Sequence, residues 1–251
     1  MLRKSLASSF LFLGLTFAPA LAAAGEGAEC HQQGQLSLQT VIDKHLKAMG
    51  GKERLKAAKT FQVTTLTREG DAVTTTIAQR ARPNLVRHDM DTNGKKVSKV
   101  FDGKQGWVVE GSAAPKAMDK EMNAAMAEGA AFDNVLLDPK GRGVLVKLDG
   151  VEEVNGAPAF KLVLTRSTET EVRFIDQKSF LEVRRTYAGT HGGKPYTKAV
   201  TYSDYRDVDG IMLSHHIQWE GNGEKGEKTV QSARYDAPID AAVFKPSTPR
   251  S

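Results

Sequence analysis

The chain has 251 residues, 40% of them hydrophobic and only nine of them proline, which fits one large or two small folded domains and excludes a disordered chain. Its formal charge of +5 becomes +3 when Arg3 and Lys4 of the leader described next are set aside. That mild excess is spread along the sequence, with no Lys/Arg cluster interleaved with aromatics, so it gives no ground for nucleic-acid binding.

The first residues read as an export signal. Arg3 and Lys4 form a positive n-region, Leu6 to Ala18 an apolar stretch too short to span a bilayer, and Ala20-Leu21-Ala22 a small-x-small cleavage site. Residues 1–22 are therefore expected to be a signal peptide, cleaved near Ala22. Cys30 is the only cysteine, so no intramolecular disulfide can form. Glu29 precedes it and the cleavage site lies upstream, which argues for an incidental thiol over a lipid anchor. Residues 23–36 are small, polar and Gly-containing, a flexible lead-in to a single domain over 37–251.

That domain opens on a helix. Leu38, Val41, Ile42, His45, Leu46 and Met49 recur at helical spacing behind Ser37 as N-cap, and Gly50-Gly51 stops the run. A shorter helix is expected over Lys52–Lys59. From Thr60 the period becomes two. Thr60–Arg68 and Asp71–Ala81 form one hairpin, Asn84–Asp91 and Lys95–Asp102 a second across Asn93-Gly94, and Gln105–Glu110 a fifth strand. Lys116–Glu128 reads as helix, with Met118, Met122 and Met126 at successive i, i+4 positions.

Strands then return at Val144–Asp149, Ala159–Arg166, Thr170–Asp176, Phe180–Ala188, Tyr196–Tyr205, Ile211–Glu220 and Glu227–Tyr235, separated by short turns such as Asp209-Gly210. The fold class is α+β. About a dozen strands make one large, strongly curved antiparallel sheet, covered by the N-terminal helix and the mid-chain helical insert.

Catalytic and metal motifs are absent from the sequence. It contains no Gly-x-Ser-x-Gly, no His-Glu-x-x-His and no P-loop. His215 and His216 are neighbours on a strand and point to opposite faces, so they cannot chelate one ion together. His45 and His215 each sit on an otherwise apolar face. Each reads either as a core histidine with a hydrogen bond or as a polar anchor in an apolar pocket. The methionines have the same two readings, core packing or an adaptable lining.

Several stretches taken in order resemble the bacterial LolA/LolB-like superfamily, and within it the outer-membrane lipoprotein-sorting proteins. They are Ala48-Met-Gly-Gly-Lys-Glu-Arg-Leu-Lys-Ala, Phe101-Asp-Gly-Lys-Gln-Gly-Trp-Val, Leu136-Leu-Asp-Pro and Val154-Asn-Gly-Ala-Pro-Ala-Phe-Lys-Leu. Phe174-Ile-Asp-Gln-Lys-Ser-Phe-Leu-Glu-Val, Tyr202-Ser-Asp-Tyr-Arg-Asp-Val-Asp-Gly-Ile and Phe244-Lys-Pro complete the series. One departure is Ser214-His215, where members of the group carry a proline after the Asp-Gly turn.

The resemblance implies an incomplete β-barrel plugged by helices, a periplasmic location, no cofactor and an interior that holds acyl chains. The expected function is a non-enzymatic, monomeric carrier for lipid or acylated protein cargo, with envelope proteins as possible partners. The apolar strand and helix faces nominate the lining: Val41, Ile42, Leu46, Phe61, Val63, Trp107, Met118, Met122, Met126, Phe160, Leu162, Phe174, Leu213, His215 and Ile217. Two alternatives stay open. One is an envelope interaction module with a filled core. The other is a lipid-acting hydrolase, for which no nucleophile and base can be named.

Overall fold

The computed structural model describes residues 36–166, 169–191 and 194–247; the expected signal peptide, Cys30 and all of the lead-in except Leu36 lie outside them. Helix α1 (Leu38–Ala48) begins where Ser37 accepts a hydrogen bond from the Thr40 amide at 3.1 Å. Such a cap contributes about 1 kcal/mol. The helix stops at Gly50 and Gly51, whose φ of +121° and +88° suit glycine alone. A short second helix, α2 (Lys52–Ala57), follows.

Six strands come next: β1 (Thr60–Glu69), β2 (Ala72–Ala81), β3 (Leu85–Thr92), β4 (Lys95–Phe101), β5 (Gly106–Glu110) and β6 (Lys116–Ala117). An insert then carries helix α3 (Lys120–Gly129) and a 3₁₀ turn at Val135–Leu137. Seven more strands complete the domain: β7 (Leu145–Val154), β8 (Ala157–Arg166), β9 (Glu169–Asp176), β10 (Glu182–His191), β11 (Lys194–Val208), β12 (Ile211–Gly221) and β13 (Glu224–Tyr235).

All thirteen strands form one sheet in the order β6-β5-β4-β3-β2-β1-β13-β12-β11-β10-β9-β8-β7. Every neighbouring pair is antiparallel. The sheet is not closed, since β6 and β7 are its two edges. This is the α+β antiparallel sheet that the alternation predicts, in the incomplete-barrel form that the resemblance implies.

The main core lies where α1 meets the sheet. Val41, Ile42 and Leu46 pack with Leu136, Val144, Phe160, Leu162, Leu164 and Ile175. On the other face, a C-terminal 3₁₀ turn (Ala241–Phe244) buries Val243 and Phe244. It covers a fully buried Arg87, whose guanidinium pairs with Asp89 at 2.7 Å and donates to Ser98 and to the Val243 carbonyl. That charge is tolerated because it is paired and hydrogen-bonded.

Three local expectations are corrected. The mid-chain helix starts at Lys120, capped by Asp119; Lys116–Ala117 is instead a strand paired with Trp107 and Val108. Phe180 lies outside its strand, in a left-handed turn at φ +58°. β7 continues to Val154 through an irregularity between Leu148 and Val151, where the sequence suggests an end at Asp149.

A cleft between the helical cover and the sheet

The register decides which strand residues share the helix-covered face. Directly opposed residues of an antiparallel pair lie on one face. Phe160, Leu162 and Leu164 of β8 oppose Ile175, Arg173 and Glu171 of β9. Arg173 and Glu171 in turn oppose Arg185 and Tyr187 of β10. Charged residues therefore stand in phase with the core on the inner face.

A cavity of about 950 Å³ opens between this face and its covers. Met49, Leu55 and Ala58 wall it from the N-terminal helices, and Phe132, Val135, Leu137 and Val144 from the insert. The sheet contributes Leu164, Ile211 and the rings of Tyr187, Tyr196 and Tyr235. Set among them are five arginines, Arg80, Arg142, Arg166, Arg173 and Arg185, against three carboxylates, Glu128, Asp133 and Glu171. The wall is amphipathic, with a surplus of positive charge.

Most of that charge is matched. Arg185 holds the buried Glu182 through Nε and a terminal nitrogen at 2.6 and 2.7 Å, and Arg173 holds Glu171 at 2.5 Å. Burial alone would raise the Glu182 carboxyl; Arg185 and Arg173 overcome it and hold the group below its ordinary value. Arg166 pairs with Glu128. Arg82, just outside the cavity, grips both Asp133 oxygens at 2.7 and 2.5 Å and also donates to the carbonyls of Ala58 and Leu55. One side chain thus ties the insert to α2 and β2.

The fifteen residues nominated from sequence divide into four groups. Val41, Ile42, Leu46, Phe160 and Leu162 are packed core, touching one another and not the cavity. Trp107 and Phe174 lie on the opposite face: Trp107 opposes Val100, in phase with Arg87, and Phe174 packs with Val154 and Ala159. Met118 precedes α3 and is buried against Gly106, Met126 packs on Val86 and Phe101, and Met122 faces solvent. Phe61, Val63, Leu213, His215 and Ile217 are half-buried on the central strands, and Phe61 stacks at 4.4 Å on the cavity residue Tyr235.

His45 and His215 resolve separately. His45 is buried, and its Nδ1 lies 2.8 Å from the Phe180 carbonyl. Burial, the leading influence, holds its pKa below the ordinary value, so it is a neutral core histidine. The half-buried His215 places Nδ1 2.9 Å from the Leu213 carbonyl of its own strand.

The residues that sequence reasoning missed are the inner arginines and tyrosines. A charged residue on a strand reads as solvent-facing by default. The available signal was phase: Arg173 is two residues from Ile175, and Arg185 two from Tyr187.

No protein-family model and no curated sequence matches the chain. Solved structures do match its fold. A DUF1329 family protein from Desulfovibrio piger is similar at a TM-score of 0.55 and 14% identity, over 82% of this chain and 96% of that one. An outer membrane lipoprotein-sorting protein domain from Vibrio parahaemolyticus is similar at 0.56 and 10%, covering 81% and 94%. A LolA superfamily protein from Nitrosomonas europaea is similar at 0.56 and 13%, covering 84% and 99%. At these identities the likeness is one of fold.

Proposed function

We propose that this chain, which has a LolA-like fold, is a periplasmic carrier that holds a lipid or acylated ligand in its half-barrel and performs no chemistry on it. The observation that carries the reading is the cavity of about 950 Å³ between the helical cover and the inner face. Its size is at the upper end for small-molecule pockets, and its mixture of apolar walls with a few convergent polar groups is what orients a bound ligand. Each methylene buried there contributes about 0.8 kcal/mol, so one acyl chain is enough for useful, reversible affinity.

In this reading the acyl chain passes the cavity mouth and runs along the inner strip that includes Phe61, Val63 and Ile217. The insert tied by Arg82 to Asp133 is the cover that must yield for exchange. The expected export signal delivers the chain to the compartment where such cargo moves.

Native mass spectrometry of protein purified from the periplasm tests this, alongside titration with a fluorescent fatty acid. Co-purified lipid and saturable probe binding are expected. A lipid-free protein that binds no probe would refute the carrier role.

One observation favours the second reading, an envelope interaction module. The edge strand β7 leaves Leu145 72% and Val151 47% exposed. A sheet edge with apolar side chains can accept a further strand from a partner. The same experiment separates the readings, because a pure interaction module carries no lipid.

A further inference from the structure

From Arg80 in the cavity wall outward, the inner face carries a group of cations that form no ion pair among the described residues. On β2, Arg80 opposes Phe61 and Val86, and Ala78, two residues away on the same face, opposes His88 of β3. His88 opposes Lys99 of β4. From the other side, Lys228 of β13 opposes Thr67 of β1 and Ile217 of β12. All lie on the inner face, and the charges of Arg80, Lys228 and Lys99 each disfavour protonation of His88. Lys198 of β11 acts likewise on Lys228 and lies over the Trp219 ring at 5.6 Å.

Several other arginines of the fold are paired with carboxylates. Arg173 and Arg185 have Glu171 and Glu182, Arg166 has Glu128, Arg82 has Asp133 and Arg87 has Asp89. Among the described residues, Arg80, Lys99, Lys198 and Lys228 form no ion pair. Arg80 donates one bond, to the Gly129 carbonyl, while its buried Nε has no partner. Burial lowers the pKa of Arg80, and burial with Lys198 that of Lys228, as expected of cations partly stripped of water and short of anions.

We propose that Arg80, Lys99 and Lys228 form the receptor for the anionic head group, a carboxylate or phosphate, of the amphipathic ligand that the half-barrel carries. This rests on the carrier reading and narrows its cargo. The apolar strip of Phe61, Val63 and Ile217 lies on adjoining strands of the same face, with Phe61 directly opposite Arg80 and Ile217 directly opposite Lys228, so head group and chain are both accommodated. A neutral or cationic amphiphile would leave the cations uncompensated, at a cost in affinity.

The test uses calorimetric titration of the full mature chain, stripped of lipid, with ligands that share one dodecyl chain. They are dodecanoate, dodecyl phosphate, dodecyl maltoside and dodecyltrimethylammonium, with inorganic phosphate as the chain-free control. The anionic ligands are expected to bind roughly tenfold or more tightly than the maltoside, because hydrogen bonds to charged groups are the strong ones. The advantage should shrink at high ionic strength. The double variant Lys99→Gln, Lys228→Gln should erase it while still binding the maltoside, which also reports that the variant is folded. Nuclear magnetic resonance of His88 should show its titration midpoint moving upward when dodecanoate binds.

Equal affinity for dodecanoate and the maltoside would overturn the head-group receptor and leave the carrier reading standing. An anionic preference that survives in the double variant would overturn the assignment to these residues. Binding of inorganic phosphate without any amphiphile would refute the carrier reading and show a free-anion site in place of a head-group receptor. Silence with every ligand would overturn both.

Discussion

His45 Nδ1 lies 2.8 Å from the carbonyl oxygen of Phe180, a residue held in a left-handed turn at φ +58°. A carbonyl only accepts, so Nδ1 carries the proton and the buried Nε2 is a bare acceptor without a partner. His45→Phe keeps the ring and strands the Phe180 carbonyl, which should cost about 1–3 kcal/mol. Because the folded pKa is lowered, the neutral ring is the stabilising form. Its benefit is present above the unfolded value and lost as pH falls below it. Urea midpoints at neutral and mildly acidic pH should therefore differ less in the variant than in the parent.

His88 gives the same sign with a defined window. Burial first, then Arg80, Lys228 and Lys99, press its pKa from 6.5 down to about 4, while Asp89 opposes them. Acidification from the upper to the lower value should cost up to about 3 kcal/mol of stability. His88→Gln should flatten that limb of the stability–pH curve.

Glu182 is the buried anion on which Arg173 and Arg185 converge, so Glu182→Gln leaves the two arginines facing each other with less to hold them. A loss of about 3–5 kcal/mol is expected. Thermal unfolding measures it, and a change below 1 kcal/mol would mean that water compensates the network.

Gly50 is required twice over. Its φ is +121°, and an added Cβ would run into the Gly210 carbonyl at the tip of the β11–β12 hairpin. Gly94 has φ +89° with open space around it. Gly94→Ala should cost about 1 kcal/mol from backbone strain alone, and Gly50→Ala visibly more. Denaturant titration of the two variants separates strain from collision.

Arg82→Ala cuts the tie between the insert, α2 and β2. The expected result is faster release of a bound fluorescent fatty acid in stopped-flow, with a stability loss of about 1–3 kcal/mol. An unchanged release rate would place the exchange route elsewhere.

Much of the architecture was legible because local chemistry and fold agree. Ser37 caps α1 as its side chain predicts, and Asp209-Gly210 adopts φ +51° and +83°, the pair that a tight hairpin demands. What alternation cannot say is which phase faces inward. Trp107 and Phe174 look like lining because their strands are apolar, yet Trp107 shares its face with Arg87 and Phe174 packs with Val154 and Ala159 on the outer side. The same ambiguity hid Arg173 and Arg185, whose inward direction depends on pairing with distant strands. Phe180 was misplaced because nothing in an aromatic side chain announces a left-handed backbone.

The strand order has a mechanical consequence. β6 and β7 are consecutive in the chain but occupy opposite edges of the sheet, and the insert from Met118 to Val144 is the chain that joins them. It is therefore a strap of fixed contour length strung between two rims. The rims can separate only as far as the strap pays out, and the strap can slacken only as the rims draw in. If the half-barrel carries cargo as proposed, opening is a change in the curvature of the whole sheet, and the length of one segment sets its limit.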